Sequence, residues 1–579
     1  MTFKMNRRAF VASAAKVSGA AAVFPLLLAE VAEAKAEITK ANIASAAALA
    51  GLEFDDQQQE MMLENLQNRL KAYEELHNLK LPNSVPPALD FNPVLPGMKF
   101  ETARTPMVMS RPLQISAPRD IEDVAFWSVR DLGELIRRRK VSSLNLTEMY
   151  LERLKRYDPL LHFVITLTED RATAQAKEAD GDIARGKYRG PLHGIPWGAK
   201  DLLAVKGYPT TWGAGGFEKQ SFEEDAEVVK RLDRAGAVLV AKTTLGALAM
   251  GDKWFGGMTR NPWKPDQGSS GSSAGSSSAV AAGCLGFAIG SETLGSISSP
   301  CTRCGATGLR PTFGRVPRTG AMALSWSMDK LGPIGRYVED CAIVFSAIHG
   351  PDGKDRTVHD YAFNWNANVD IKKLRIGYLK EDFEYKADEK ETAEQTERRL
   401  LLKKFDEAAV DVLRSKLKVD LIPLELPNMP WGAMRPILVA EAAAAFDELT
   451  RSGKDKLLTE QGKDDWPNTF RASRLIPAVE YINGNRARMI AMQKAAEMFS
   501  KADVVVAPTF SSQLLMTNLT GHPAVILPSG FRPSDGTPVS LTFLGDLFGE
   551  AKLLAVARAW EQATEFHKKH STLEVGKKA

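Results

Sequence analysis

The chain has 579 residues, 44% hydrophobic and 25% charged, the usage of a globular protein with one large or two moderate domains, which excludes disorder of the whole chain. Its 75 basic and 71 acidic residues leave a formal net charge of +4, too small for a basic stripe that tracks a phosphate backbone, so no nucleic-acid partner is expected. Four cysteines are too few to staple a chain of this length, so the fold rests on its core.

Residues 1–36 read as a leader and not as part of the fold. Arg7 and Arg8 precede Phe10 and an Ala-rich apolar run, and Ala32-Glu33-Ala34 has the small residues of a cleavage site. The pattern resembles a twin-arginine export signal, which implies a protein exported to the periplasm or cell envelope of a bacterium; the alternative is a basic amphipathic helix or a membrane anchor. No other stretch approaches ~18 unbroken apolar residues, so no stable membrane insertion is expected once the leader is removed.

Residues 37–118 form an expected helical and Pro-rich extension. Met62, Leu66, Leu70, Tyr73 and Leu76 recur at helical spacing, and "LPNSVPPALDFNPVLPG" then forbids regular helix and marks an extended connector. The main domain is expected over 119–573. "SVRDLGELIRRRKVSSLNLTEMYLERLKRY" reads as two helices, the second capped by Ser142 or Ser143, with the run 137–140 at a solvated helix end. Short apolar runs at 235–243, 374–379, 502–509, 522–530 and 539–545 read as buried strands alternating with helices, and 385 to about 415 as a charged, solvated helix. The fold class is α/β, a mixed sheet with helices on both faces.

Two segments carry candidate chemistry. "SSGSSAGSSSAVAAGCLGFAIGSETLGSIS", residues 269–298, runs from serines into small apolar residues, which a flexible spacer does not do, and it lacks the GK[ST] ending of a phosphate loop. Its serines need a base. None of the eight histidines falls within it and no G-x-S-x-G elbow is present, although a Ser-His-Asp site can still assemble in space. Lys200, after a Gly/Pro turn and the run "IPWGA", is the other option. An ordinary lysine titrates at ~10.4 and cannot accept a proton near neutrality; burial that lowers it by about three units corresponds to roughly 4 kcal/mol. On spacing alone, a structural Lys200 paired with Asp201 or another carboxylate is an equal alternative. Cys301 and Cys304 form a CxxC without a second CxxC or histidine pair, which disfavours zinc and leaves a local disulfide or two buried thiols. Trp197, Trp212, Trp254, Phe255 and Trp326 are candidates for a substrate pocket or, more simply, for core.

Three blocks, "GIPWGAKDLLAVKGYPTTWG", "NPWKPDQGSSGSSAGSSSAVAAG" and "GSETLGSISSPCTRCGATGLRPTFGRVPRTG", together resemble the amidase signature family, with supporting similarity from about residue 128 to the C-terminal helix "EAKLLAVARAWEQA". The resemblance implies the amidase signature fold and a Ser-cisSer-Lys triad of Ser296, Ser272 and Lys200, with a cis peptide between Gly271 and Ser272 and a supporting Ser273. It also implies an oxyanion site from backbone N–H groups of Thr293, Leu294, Gly295 and Ser296, and an acyl-enzyme route to hydrolysis of a carboxylic or peptide amide with no metal and no cofactor.

Glu292, Leu294 and Ser298 stand where the family commonly has Asp, Gly and Arg, and Leu294 cannot adopt glycine-only angles, which puts the turn in question. The alternative is therefore an inactive relative or an amidotransferase A-type subunit that acts with partners. For the hydrolase the expected partner is a small-molecule amide, and assembly as a homodimer is compatible with the sequence.

Overall fold

The computed structural model describes residues 38–113, 115–384 and 392–573. They fall into two compact units, one ending at Leu81 and the other beginning at Pro82. The leader at 1–36 lies outside the described residues. The expected division at 118/119 falls inside the second unit, where the Asn83 side chain donates to Ala323 O at 2.8 Å and Val108 bridges to Asn366.

In the first unit, helices Lys40–Leu49 and Asp56–Asn78 are each started by a capping box, with Thr39 and Asp55 accepting from the N–H groups of Asn42 and Gln58. Lys40 joins them through Asp56 at 3.0 Å and Glu60 at 2.8 Å.

The second unit is built on a sheet that has eleven strands among the described residues. In chain order they are β1 (Val164–Leu167), β2 (Pro196–Lys200), β3 (Val238–Thr243), β4 (Phe287–Glu292), β5 (Thr307–Arg310), β6 (Lys330–Gly335), β7 (Ile376–Leu379), β8 (Leu421–Leu424), β9 (Val504–Pro508), β10 (Ala524–Phe531) and β11 (Pro538–Gly545). Their order across the sheet is β1-β3-β2-β4-β6-β5-β10-β11-β9-β7-β8. β2 runs parallel to β3 and β4, β7 runs parallel to β8 and β9, and the remaining pairs are antiparallel.

Both faces of this sheet are covered. Val238 and Val240 belong to one apolar cluster while Leu239 between them belongs to the other, and Val504, Val505, Val506 and Ala507 alternate in the same way. The five strands expected from apolar runs are present as β3, β7, β9, β10 and β11. Ser142 caps the helix Ser143–Leu161 by accepting the Asn145 N–H at 3.0 Å, and residues 137–140 are exposed at a helix end. The charged helix is observed as Ala393–Ser415. No helix among the described residues is long and apolar enough to cross a membrane.

Two buried carboxyls tie helices to this frame. Asp340 accepts the Val129 N–H at 2.7 Å and Glu561 accepts the Val338 N–H at 2.7 Å. Burial, opposed by Arg336, pushes Asp340 up to about 7; burial, with Asp340 nearby, pushes Glu561 up to about 8. An unfolded carboxyl titrates near 4, so between about pH 4 and 8 these two groups bind more protons in the folded chain than in the unfolded one, and the stability they contribute falls as pH rises. The melting temperature of the parent relative to Glu561→Gln is therefore expected to fall between pH 6 and pH 9; a difference that stays constant across this range contradicts the assignment.

Candidate active site

β2 ends on Lys200, and its place between β3 and β4 decides what the amine can reach. The side chain is 0% exposed. Nζ lies 2.8 Å from Ser272 Oγ, 2.8 Å from Ser291 Oγ and 3.1 Å from Ser273 Oγ. All three partners are neutral hydroxyls, and Lys200 has no ion pair among the described residues. The pairing with Asp201 left open by the sequence does not occur: Asp201 faces Lys242, with Nζ 2.6 Å from Oδ1, and accepts the N–H and O–H of Thr211. Burial pushes the Lys200 amine well below the usual lysine value, while the more distant carboxylates of Asp329 and Glu292 pull weakly the other way.

The serine-rich stretch is buried structure throughout. Helix Ala274–Ala281 has eight buried residues, and at Gly275 a Cβ would fall 2.4 Å from Phe163 O and 2.5 Å from Thr244 N, so only glycine permits this approach. Buried hydroxyls need partners. Ser276 donates to Ile289 O at 3.1 Å, Ser278 donates to Arg260 O at 2.8 Å, and Ser277 lies 3.6 Å from Cys301 Sγ. The Gly271–Ser272 peptide is cis. At Gly271 an added Cβ would lie 1.7 Å from Gly251 O. Ser273 donates its O–H to Ser291 O and accepts the Ser291 N–H, both at 3.1 Å, which fixes the serine pair against β4.

After β4 the chain turns through 293–297 into the helix Ser298–Cys304. The left-handed backbone in this turn falls on Gly295, at φ +86°, and not on Leu294, so leucine at 294 carries no glycine-only angle. Ser296 is 8% exposed, and its carbonyl accepts the Ser273 N–H at 3.1 Å, which places it beside the Ser272–Ser273 pair. The Ser296 hydroxyl and the N–H groups of Leu294, Gly295 and Ser296 make no hydrogen bond among the described residues. The next two N–H groups, of Ile297 and Ser298, go to Glu292 Oε2 at 2.9 Å each. Thr293 donates its hydroxyl to Asp329 Oδ1 at 2.5 Å.

The structure thus brings Lys200, Ser272, Ser273 and the 293–296 turn into one neighbourhood. Ser291, a third hydroxyl on the amine, was not singled out by sequence pattern, although it lies within the "GSETLGS" block. Glu292 and Ser298, read from sequence as departures, are bonded to each other: Ser298 donates its hydroxyl to Glu292 Oε2 at 2.9 Å. No histidine bonds to Ser272 or Ser296 among the described residues. Cys301 and Cys304 are free, buried thiols, and no disulfide joins them. Trp197 is core, stacked on Phe287, and Trp212 and Trp254 are buried, whereas Phe255 is exposed and Trp326 partly so. Among the described residues no group of His, Cys, Asp and Glu is placed to hold a metal.

Comparison with known proteins follows the same lines. The family described as Amidase matches residues 145–516. The A-type subunit of glutamyl-tRNA(Gln) amidotransferase from Acinetobacter baumannii (strain AYE) is 31% identical over 497 residues, covering 78% of this chain and 99% of its own. Its counterpart from Methylococcus capsulatus is 33% identical over 487 residues, covering 76% of this chain and 97% of its own. Among solved structures, the peptide amidase from Stenotrophomonas maltophilia superposes with a TM-score of 0.66 at 30% identity, over 79% of this chain and 99% of its own. These relatives overturn the expectation of export to the periplasm or cell envelope, because the amidotransferase chains are named for work on glutamyl-tRNA(Gln), a translation intermediate that an exported enzyme does not meet.

The contact at Gly271 gives a direct test of the site's packing. Gly271→Ala forces a methyl against the Gly251 carbonyl and should destabilise the chain by about 1–3 kcal/mol or more, read by denaturant unfolding; a variant as stable as the parent contradicts this packing.

Proposed function

The chain belongs to the amidase family and acts on linear amide C–N bonds, and on that footing we propose that it does so by transferring the acyl group to Ser296 through a relay of Ser272 and Lys200. The observation that carries the reading is the fully buried Lys200 amine, 2.8 Å from Ser272 Oγ and without an ion-paired carboxylate among the described residues. In that setting the neutral amine is the favoured form, and a neutral amine has a lone pair to offer.

The chemistry runs as one proton relay in each direction. Lys200 takes the Ser272 proton as Ser272 takes that of Ser296, and the Ser296 oxygen attacks the amide carbon. Negative charge develops on the carbonyl oxygen, and the unclaimed N–H groups of Leu294, Gly295 and Ser296, with that of Thr293, are the donors for it. A well-placed donor of this kind is worth about 3–4 kcal/mol. The C–N bond breaks as the proton returns from Lys200 through Ser272 to the leaving nitrogen. Water then adds to the acyl-enzyme by the same relay, Ser296 regains its proton and the acid leaves. The Ser272–Ser296 hydrogen bond closes on binding of the amide, as catalytic hydrogen bonds often tighten only with substrate in place.

A second reading concerns who uses this chemistry. Correspondence over 97–99% of the length of the A-type amidotransferase chains favours a protein that works as the amide-cleaving member of an assembly, with partner chains and an acceptor other than water. The peptide amidase likeness favours a chain that acts alone on a small amide. Steady turnover of primary and aryl amides by the purified chain supports the second of these, and turnover that appears only with added partner chains supports the first.

Two measurements test the relay. A fluorophosphonate probe is expected to label Ser296, and Ser296→Ala to abolish both labelling and amide turnover with the fold intact; labelling at another serine rejects the assignment. Lys200→Arg places a guanidinium that cannot lose its proton, so kcat/KM should fall by about a thousandfold. In the parent, a base must be unprotonated to work, so kcat/KM should fall as pH drops through the depressed Lys200 value and hold a plateau at pH well below 10.5. A rate that rises only around the ordinary lysine value contradicts a buried neutral amine.

A further inference from the structure

The relay accounts for Lys200, Ser272 and Ser296 but leaves unexplained the buried carboxylate at the entrance to the turn. Glu292 is the last residue of β4 and is 0% exposed. Its Oε2 accepts three hydrogen bonds at 2.9 Å, from Ile297 N–H, Ser298 N–H and the Ser298 hydroxyl. Its Oε1 accepts from Arg310 Nη1 at 2.8 Å and Asn518 Nδ2 at 2.9 Å. Five donors from β5, from helix Gln513–Thr520 and from the turn itself therefore converge on one carboxylate. Arg310 is itself held in place, donating further to Thr517 Oγ1 at 2.7 Å and His522 O at 3.1 Å.

A strand that turns into a helix leaves a run of N–H groups without intrahelical acceptors. In this turn the run is divided. The N–H groups of Ile297 and Ser298 end on Glu292, and those of Leu294, Gly295 and Ser296 end on nothing among the described residues. We propose that Glu292 is a positioning residue that makes this division, holding the far end of the turn so that the near N–H groups stay directed at the carbonyl oxygen of the amide. The inference rests on the reading of Ser296 as the acylated residue.

Charge balance gives the same assignment a second argument. A bare carboxylate so close to a developing oxyanion would oppose it, since two like charges in a water-poor site repel strongly. Glu292 is not bare. Burial pushes its carboxyl up, but the Arg310 guanidinium and the donors on both oxygens hold it at about 2, so it stays ionised and neutralised across the working pH range. A protonated acid would itself be a donor and could not accept all five bonds. The two apparent departures, Glu292 and Ser298, are thus opposite ends of one hydrogen bond: a longer acid meets a shorter hydroxyl, and Arg310 on β5 supplies the cation.

The test uses the purified full chain, an amide it turns over and a fluorophosphonate probe. Glu292→Gln is expected to lower kcat by about a hundredfold, the scale of one lost oxyanion donor, with KM changed by less than about threefold and with phosphonylation of Ser296 slowed in parallel. Ser298→Ala removes one donor without stranding a buried charge and should fold whatever Glu292→Gln does; its kcat is expected to fall about fivefold at unchanged KM and unchanged melting temperature. A folded Glu292→Gln with parental kcat and labelling rate, or a loss confined to KM, overturns the proposal, and if that variant does not fold, a parental kcat in Ser298→Ala overturns it. These outcomes are separable from failure of the underlying reading, which would show as probe on a serine other than Ser296 in the parent and would remove this proposal with it.

Discussion

The site depends on an amine held inside a sheet with only hydroxyls for company. Lys200 closes β2 between two parallel neighbours, where both faces of the sheet are covered and no water shell can form around an ammonium. The nearest carboxylate in sequence, Asp201, is committed to Lys242. Desolvation therefore acts on Lys200 with no ion-paired partner among the described residues, only the more distant Asp329 and Glu292 carboxylates opposing it, which is the condition under which a lysine becomes a base. Had Asp201 turned to Lys200, the same burial would have produced an ion pair and a fixed positive charge.

The surroundings convert that amine into directed chemistry by close packing of small residues. Helix Ala274–Ala281 can press against the sheet because Gly275 and Gly290 lack a Cβ; at Gly290 one would lie 2.8 Å from Ser273 Oγ. Ser273 and Ser276 then bond to β4 itself, so the serine pair and the 293–297 turn are held by the same strand. The hydroxyl of Ser296 is left outside this network. A site in which the surrounding polar groups are satisfied, while this hydroxyl and the N–H groups of 294–296 are left for the substrate, has little freedom to reorganise during reaction, which is what electrostatic preorganisation requires.

The same packing explains what the sequence could and could not disclose. β3, β9, β10 and β11 were legible because Val, Ile and Leu dominate them, as buried strands demand. β2 ("PWGAK"), β4 ("FAIGSE") and β6 ("KLGPIG") were not, because glycine replaces branched residues where neighbours come close: a Cβ on Gly198 would lie 2.6 Å from Leu285 Cδ1, and one on Gly332 2.0 Å from Leu309 O. At the site, Lys200 and the serines stood out by residue type and by family resemblance. Ser291, Asp329, Arg310 and Asn518 did not, since no local pattern links residues brought together by the sheet, and Glu292 and Ser298 appeared as defects until seen as partners. The expected export leader is a different matter: it is read from composition alone, lies outside the described residues, and the export it implies is overturned by the likeness to the amidotransferase A subunits.

The account is tested most directly by observing the charge on Lys200. In a sample labelled at lysine side chains, an NMR titration assigned by comparison with Lys200→Met should show one amine that takes up its proton well below the pH at which the exposed lysines do. A Lys200 resonance that titrates with the exposed lysines, near ~10.4, would mean a permanently charged group beside Ser272 and would contradict the mechanism at its root.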